Sequence, residues 1–461
     1  MPKELGLPFD SLISTLFDQN MLCFRTLLRT ALIAGSILAG PFVAGPQNAS
    51  AASPFSARPD TISIAHPRDV IEAVVQNNRS LESLIQNASA ASSRSGYVGA
   101  FPDPTLMVTG QPMPVYTARG KQVVQIRAEQ MIPYPGKLRL MEEMADLEAE
   151  LGRDMVQIYA VEALLEAQLA VNEHHRIEAT KKVVTAFSDR LAEYEGIAIR
   201  KYEGGAGDPS AVLKLQMEQS RLVQTLIDLG REQETTRYRV EKVVQLPVRI
   251  EERSESESEI GSSTAAVRGP LDASSRDEVK ALERKEAMVG VRSELLDFYN
   301  RPDFGVSINW IGIVKSDMPA SSDGRDALAL GVAVRIPLGQ SANKAKKQEA
   351  ELQRSALASE RLSVIHSIET VYANQTARTQ SDLQSLRHLE SSLLPAAEAL
   401  LSTSISAYSN GKGDLLDLLD AERSRFQLEK ERVDIKARID AGNLILSRVS
   451  GELSAIVSTY F

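Results

Sequence analysis

Apolar and polar residues alternate with a period of two in four short stretches of this chain, and most of the remainder follows a helical period. From Asp303 to Ile313, Phe304, Val306, Ile308 and Trp310 share one side, and Gly305, Ser307 and Asn309 the other. From 327 to 336, Leu328, Leu330, Val332, Val334 and Ile336 oppose Ala327, Ala329, Gly331, Ala333 and Arg335. Weaker versions place Leu106 with Val108, and Val124, Ile126 and Ala128 opposite Gln125, Arg127 and Glu129. Strict alternation marks a strand with two unlike faces, and a run of about ten residues suits a membrane-spanning β-strand. Pro- and Gly-containing loops are expected over 111–121 and 314–325. A sheet packed on a soluble core is the plainer reading. Four strands cannot close a sheet, however, so several chains would have to contribute.

The helical stretches are long. From Lys137 to Lys201 there is no proline, and Leu147, Leu151, Met155, Ile158, Leu165 and Leu169 recur at helical spacing. At 1.5 Å per residue this predicts a helix of about 100 Å. Gln340 to Ser409 reads the same way, interrupted by Pro395. Shorter helices are expected near 68–99, 208–245, 276–299 and 414–451. Periodic helices of this length pack as coiled coils.

One interruption is written twice. Tyr202, Gly205, Gly207, Asp208 and Leu213 recur in the same spacing as Tyr408, Gly411, Gly413, Asp414 and Leu419. Paired glycines end a helix because they accept positive φ, and the following aspartate can cap the next helix, so each stretch predicts a helix–turn–helix reversal. Neither copy has the spacing of a phosphate-binding loop. Two further landmarks recur in the same order, Phe101-Pro102-Asp103 with Arg301-Pro302-Asp303, and Pro135-Gly136-Lys137 with Pro337-Leu338-Gly339. The chain is therefore two copies of one unit. The expected class is mainly α with a small β part. The first repeat is expected over 60–246, a polar connection over 247–275, the second repeat over 276–453 and a tail over 454–461.

Composition adds compartment and excludes partners. Of 461 residues, 43% are hydrophobic and only 5% aromatic, which fits extended helices with narrow apolar seams. The net charge of −9 argues against nucleic acid. Arg25 and Arg29 precede an apolar run from Ala31 to Gly45, followed by small residues around Ala51. That order is a secretory signal over 1–51, with translation starting at Met1 or Met21. The single cysteine, Cys23, precedes the run and is lost with it.

Chemistry is sparse. His174 and His175 beside Glu173 and Glu178 form one polar cluster, read as a solvated pair and not as a metal site. No hydrolase or metalloprotease motif is present, and nothing in the sequence supports an enzyme, a metal site or a cofactor.

Three stretches, QMIPYPGKLRL (130–140), RIPLGQSANKAKKQEAEL (335–352) and LLPAAEALLSTSISAYSNGKGDLLDLLDAE (393–422), taken in this order with the duplicated layout, resemble the TolC outer-membrane efflux family. The PYPGK element resembles its subgroup that partners heavy-metal and cation exporters. The resemblance implies a homotrimer in which four strands per chain close a 12-stranded barrel in the outer membrane. The long helices would continue it as a hollow periplasmic tunnel. The two turns, with Tyr202, Gly205, Gly207, Asp208, Gly411, Gly413 and Asp414, would be its tip, closed at rest and docking a periplasmic adaptor joined to an inner-membrane pump. Tyr408, Asp417 and Asp420 match the family's positions at the tip constriction. Two features depart from the family. Gly413 stands where many members have an arginine, and Ala211 where they have its aspartate partner; Cys23 is not placed for the lipid attachment common among metal-exporting relatives. As to Asp417, Asp414 at the N-cap puts it at the third helical position, where the helix dipole favours a carboxylate by about 0.3–1 kcal/mol. Asp420 lies a turn deeper. The implied function is the outer-membrane channel of a tripartite pump exporting metal cations or small toxic molecules. A type I protein-secretion duct and a periplasmic coiled-coil adaptor remain as alternatives.

Overall fold

The computed structural model describes residues 61–204, 209–252, 271–315, 324–410 and 412–461. The signal segment 1–51, most of the polar connection and most of the 314–325 loop lie outside the described residues.

The first repeat opens with β1 (Ile62–Ile64), α1 (Pro67–Asn77) and α2 (Arg79–Val98). The single helix expected near 68–99 is thus two. Asn78 breaks it, because its side chain has buried obligations: Oδ1 accepts from the Leu81 N–H at 2.9 Å and Nδ2 donates to the Val243 carbonyl at 2.8 Å. Next come β2 (Thr105–Thr117) and β3 (Gly120–Ile132), then α3 (Lys137–Glu203), α4 (Pro209–Val244) and β4 (Val248–Ile250). The second repeat has α5 (Asp277–Phe298), β5 (Asp303–Val314), β6 (Ala327–Arg335) and α6 (Gln340–His388). A π-helical turn (Leu389–Leu393) leads into α7 (Leu394–Ser409), followed by α8 (Leu415–Ser450) and α9 (Glu452–Val457). The π turn falls just before Pro395, which has no N–H to give and whose ring clashes with the carbonyl four residues back.

Four strands form one antiparallel sheet in the order β2-β3-β5-β6. The loop expected over 111–121 is instead mostly strand. β2 runs through it as an edge strand with a register shift between Gly110 and Val115, where Pro112 and Pro114 cannot donate to a ladder. Directly opposed residues point the same way, so the register decides the faces. Leu106 pairs with Ala128, Ala128 with Ile308, and Ile308 with Leu330; likewise Val108 with Ile126, Ile126 with Trp310, and Trp310 with Leu328. One face is therefore apolar across all four strands; Leu106, Val108, Ile308, Trp310, Leu328 and Leu330 on it are exposed and Ile126 is half-buried. The other carries Thr109, Gln125, Arg127, Asn309 and Ala329 in register.

Beneath the sheet α3 runs for 67 residues, about 100 Å. Its buried stripe is not the expected one. Met155 is exposed and Leu147, Leu151, Ile158, Leu165 and Leu169 are half-buried, while Val156, Ala160, Ala163, Ala167 and Ala170 are buried. Small side chains let neighbouring helices approach closely, and the leucines flank that seam. Toward the far end the spacing becomes heptad: Ile177, Val184, Leu191 and Ala198 on α3 meet Leu215, Leu222 and Leu229 on α4. A strict seven-residue repeat gives left-handed supercoiling. The segment expected as a tail over 454–461 instead continues α9, whose Val457, with Leu453 just before the tail, joins the core of α1–α4.

The sheet is fixed to the helices by one buried ion pair. Gly136 holds φ +100, and a Cβ there would lie 2.7 Å from the Phe298 ring, so only glycine turns the chain into α3. The turn delivers Lys137, whose buried Nζ lies 2.6 Å from Asp303 Oδ1; the Tyr134 N–H donates to the same oxygen at 2.8 Å. The PGK landmark of one repeat thus meets the RPD landmark of the other. Lys137→Met is expected to cost about 3 kcal/mol by stranding the Asp303 charge, and Lys137→Met/Asp303→Asn to recover most of it. Urea denaturation followed by circular dichroism measures both.

Candidate functional site

The ends of α3 and α7 lie together, with Lys201 against Tyr408, and the turn that follows α7 is described apart from Gly411. Helix α7 ends as the Asn410 N–H bonds the Ser406 carbonyl at 3.1 Å, and the Lys412 and Gly413 N–H groups both reach the Ala407 carbonyl, at 2.9 and 3.1 Å. A Cβ at Gly413 would lie 3.0 Å from the Ala407 Cβ and 3.2 Å from the Tyr408 nitrogen. The close return of the chain is what the glycine permits. Asp414 follows with extended backbone, φ −87 and ψ 153, in the N-cap position of α8. It occupies the position expected of it, but its side chain makes no capping hydrogen bond.

Tyr408 is 7% exposed. Lys201, from the end of α3, donates to its carbonyl and holds Nζ 3.7 Å from the centroid of its ring. Burial, with the Asp414 charge adding to it, pushes the Tyr408 hydroxyl above its ordinary pKa, so it stays protonated. Its counterpart Tyr202 is 52% exposed. The two turns are alike in sequence and unlike in setting. Gly205, Gly207, Asp208 and Gly411 lie outside the described residues.

In α8, Leu415, Leu418 and Leu419 enter the core while Asp417 and Asp420 stay exposed on the opposite side. Asp420 lies 3.6 Å from Arg423 Nη1. Arg423 is shared: its Nη2 is 3.0 Å from Glu218 on α4. Asp417 has no ion pair among the described residues.

Sequence reasoning missed the side chains that support this arrangement. Glu422 is fully buried, and its Oε1 accepts from Arg190 Nε at 2.8 Å and from the Tyr194 hydroxyl at 2.9 Å. Burial and the Glu422 charge push the Tyr194 hydroxyl pKa far up, which keeps it a donor. The available signal was the spacing of Arg190 and Tyr194, four apart on one face of a helix whose neighbours are apolar.

The histidine cluster differs from the expected solvated pair. His174 is buried between α3 and α4, its Nδ1 3.2 Å from Thr236 Oγ1 and its Nε2 3.3 Å from Gln233 Nε2. Thr236 donates onward to the Gln233 carbonyl, so Nδ1 carries the proton and Nε2 accepts. His175 lies 3.7 Å from Glu178. Among the described residues no group of three or more His, Cys, Asp or Glu side chains is placed to hold a metal ion.

With this geometry, the fold can be compared with known proteins. No protein-family model matches the sequence. The chain is 26% identical over 185 residues to the cobalt-zinc-cadmium resistance protein CzcC of Cupriavidus metallidurans, a match spanning 40% of each protein. In structure it is similar to the outer-membrane channel OprN, with a TM-score of 0.67 and 17% identity over 84% of this chain and 89% of that one. It is also similar to CusC, described by its transmembrane channel formation, with a TM-score of 0.70 and 14% identity over 84% and 93% of the two chains. The chain has the fold of TolC-type outer-membrane channels.

Burial lowers the His174 pKa below its ordinary value, and the facing Lys181 and Arg237 act in the same direction, while Gln233 and Glu234 oppose them. A group that prefers to be neutral when folded contributes stability above its unfolded pKa and loses it as pH falls below about 6.5. The α3–α4 hairpin is therefore expected to melt at lower temperature at pH 5 than at pH 7.5. His174→Gln is expected to flatten that difference in thermal melts.

Proposed function

We propose that this chain is the outer-membrane channel subunit of a tripartite efflux pump, assembled as a homotrimer and reaching across the periplasm to an adaptor protein and an inner-membrane pump. The observation that carries the reading is the sheet: one face apolar and exposed, the other polar, and both edges open. Among the described residues no helix is long and apolar enough to cross a membrane, which says nothing of a β-barrel. In lipid every backbone polar group has to be paired, so an open four-stranded sheet requires neighbours. β2 and β6 lie at opposite edges and run antiparallel, so β6 of one copy can pair with β2 of the next until three copies close the barrel. A periplasmic adaptor has no use for such a face. A type I secretion duct would share it, and the name of the relative CzcC favours cobalt, zinc or cadmium ions over a protein as cargo.

The apolar face should behave as a lipid face. Leu330→Arg near the membrane midplane is expected to cost about 2–4 kcal/mol of assembled trimer, and Ala329→Arg, on the lumen side, to alter conductance with little loss of assembly. Refolding into phospholipid vesicles separates the two; equal loss from both faces overturns the barrel.

At the tip, Asp417 and Asp420 stand three residues apart, so three copies would present two carboxylate rings about 4.5 Å apart along the axis. Such rings concentrate cations and repel anions. Arg423 tempers the Asp420 ring, which leaves Asp417 as the stronger one. Tyr408, buried and tethered, packs the closed tip. Asp417→Ala/Asp420→Ala is expected to leave thermal stability unchanged and to reduce the K+ over Cl− preference in planar-bilayer recordings, with Asp417→Ala accounting for most of it. Unaltered preference together with reduced stability would mean that the aspartates only favour the helix start.

A further inference from the structure

This inference rests on the trimeric channel reading above. The two repeats align 206 residues apart through the tip (408 against 202), so α3 has its counterpart in α7 and α8 its counterpart in α4. Within one copy, α3 of the first repeat packs against α8 of the second. In a closed ring the same meeting recurs between copies, where α7 of one copy faces α4 of the next. The sheet follows the same rule, β3 pairing with β5 within a copy and β6 with β2 between copies.

The seam inside a copy is tied by specific side chains. Phe187 stacks on Phe426 with ring centroids 4.6 Å apart. Arg190 and Tyr194 of α3 hold the buried Glu422 of α8, and at the end of α3 Lys201 holds Tyr408 of α7 in the same copy. None of these ties has a counterpart. On the long helix, Phe187, Arg190 and Tyr194 become Leu393, Ala396 and Leu400, and Lys201 becomes Ala407. On the return helix, Glu422 and Phe426 become Gln216 and Ser220. In the single chain Leu393, Ala396, Leu400, Gln216 and Ser220 are all exposed, and the polar contact of Gln216 is to Glu195 of its own copy at 2.8 Å.

The two seams therefore respond differently to parting. Sliding α8 a little way from α3 leaves the Glu422 carboxylate buried without its donors, which is strongly unfavourable until water reaches it. At the corresponding seam between copies the counterparts Leu393, Ala396, Leu400, Gln216 and Ser220 are all uncharged. They give up only dispersion contacts and can reseat in a second packing.

We propose that the tunnel tip opens along the seams between copies, with α3 and α8 of each copy moving as one body. The ties seen in this chain hold each copy together and leave the copies free to separate.

The test uses the full-length protein in a Cys23→Ser background, in planar bilayers with KCl. Leu400→Glu places a carboxylate where a neighbouring copy covers it, and it is expected to raise K+ conductance several-fold. In that background, a short bismaleimide joining Ala396→Cys to Gln216→Cys is expected to run as linked copies on denaturing gels and to return conductance to the unmodified level. The same reagent joining Arg190→Cys to Glu422→Cys is expected to leave conductance high. The proposal is overturned if the within-copy link restores the low conductance, or if Leu400→Glu trimers show no rise. It is also overturned if the 396–216 link fails to form in a protein that elutes as a trimer. A protein that elutes only as a monomer instead refutes the trimeric channel, and the inference with it.

Discussion

An unpaired backbone N–H or C=O in hydrocarbon costs several kcal/mol, and a sheet edge is a row of them. That constraint governs this molecule. A sheet of four strands whose exposed face is apolar from Leu106 to Leu328 is suited to lipid, yet among the described residues neither β2 nor β6 has a partner on its outer side. In the trimer proposed above, the strands would close as one ring, the helices beneath them would share its symmetry, and the two repeats of each chain would take quasi-equivalent positions around it.

Duplication makes the repeats alike; function requires that they differ. The differences fall at contacts between repeats. Lys137 of the first repeat pairs with Asp303 of the second, while the corresponding landmark of the second repeat reads Pro337-Leu338-Gly339 and supplies no such lysine. At the other end Lys201 holds Tyr408, while the position corresponding to Lys201 in the second repeat is Ala407 and Tyr202 is exposed in the single chain. Buried charges have been placed where one chain folds on itself. Each such carboxylate takes two donors on one oxygen, Asp303 from Lys137 and the Tyr134 N–H and Glu422 from Arg190 and Tyr194, which offsets part of the cost of removing a charge from water.

Charge is distributed with the same economy at the tip. The acidic residues that face outward, Asp417 and Asp420, stay on the solvent side of α8, and the acid that turns inward, Glu422, is enclosed by Arg190 and Tyr194. Three carboxylates within six residues thus have two different physical roles, decided by which side of one helix each occupies.

The sequence alone determined what depends on local period and local backbone chemistry. Alternation of two identified the faces of β5 and β6, glycine spacing identified the turn between α7 and α8, and absence of proline identified α3. Landmarks in repeated order identified the duplication. The edges of that reading show its limit: Pro112 and Pro114 read as a loop but lie in an edge strand, and Asn78 divides a helix that the pattern joined. Tertiary structure decided which neighbour each face meets. The leucine stripe on α3 is periodic, yet the alanines beside it are buried, because close helix approach selects small side chains and the approach is set by partners far along the chain. Lys201 and Tyr408 are 207 residues apart, and Arg190 and Glu422 are 232 apart. No local pattern encodes a contact at that separation; it exists because two copies of one unit were folded against each other.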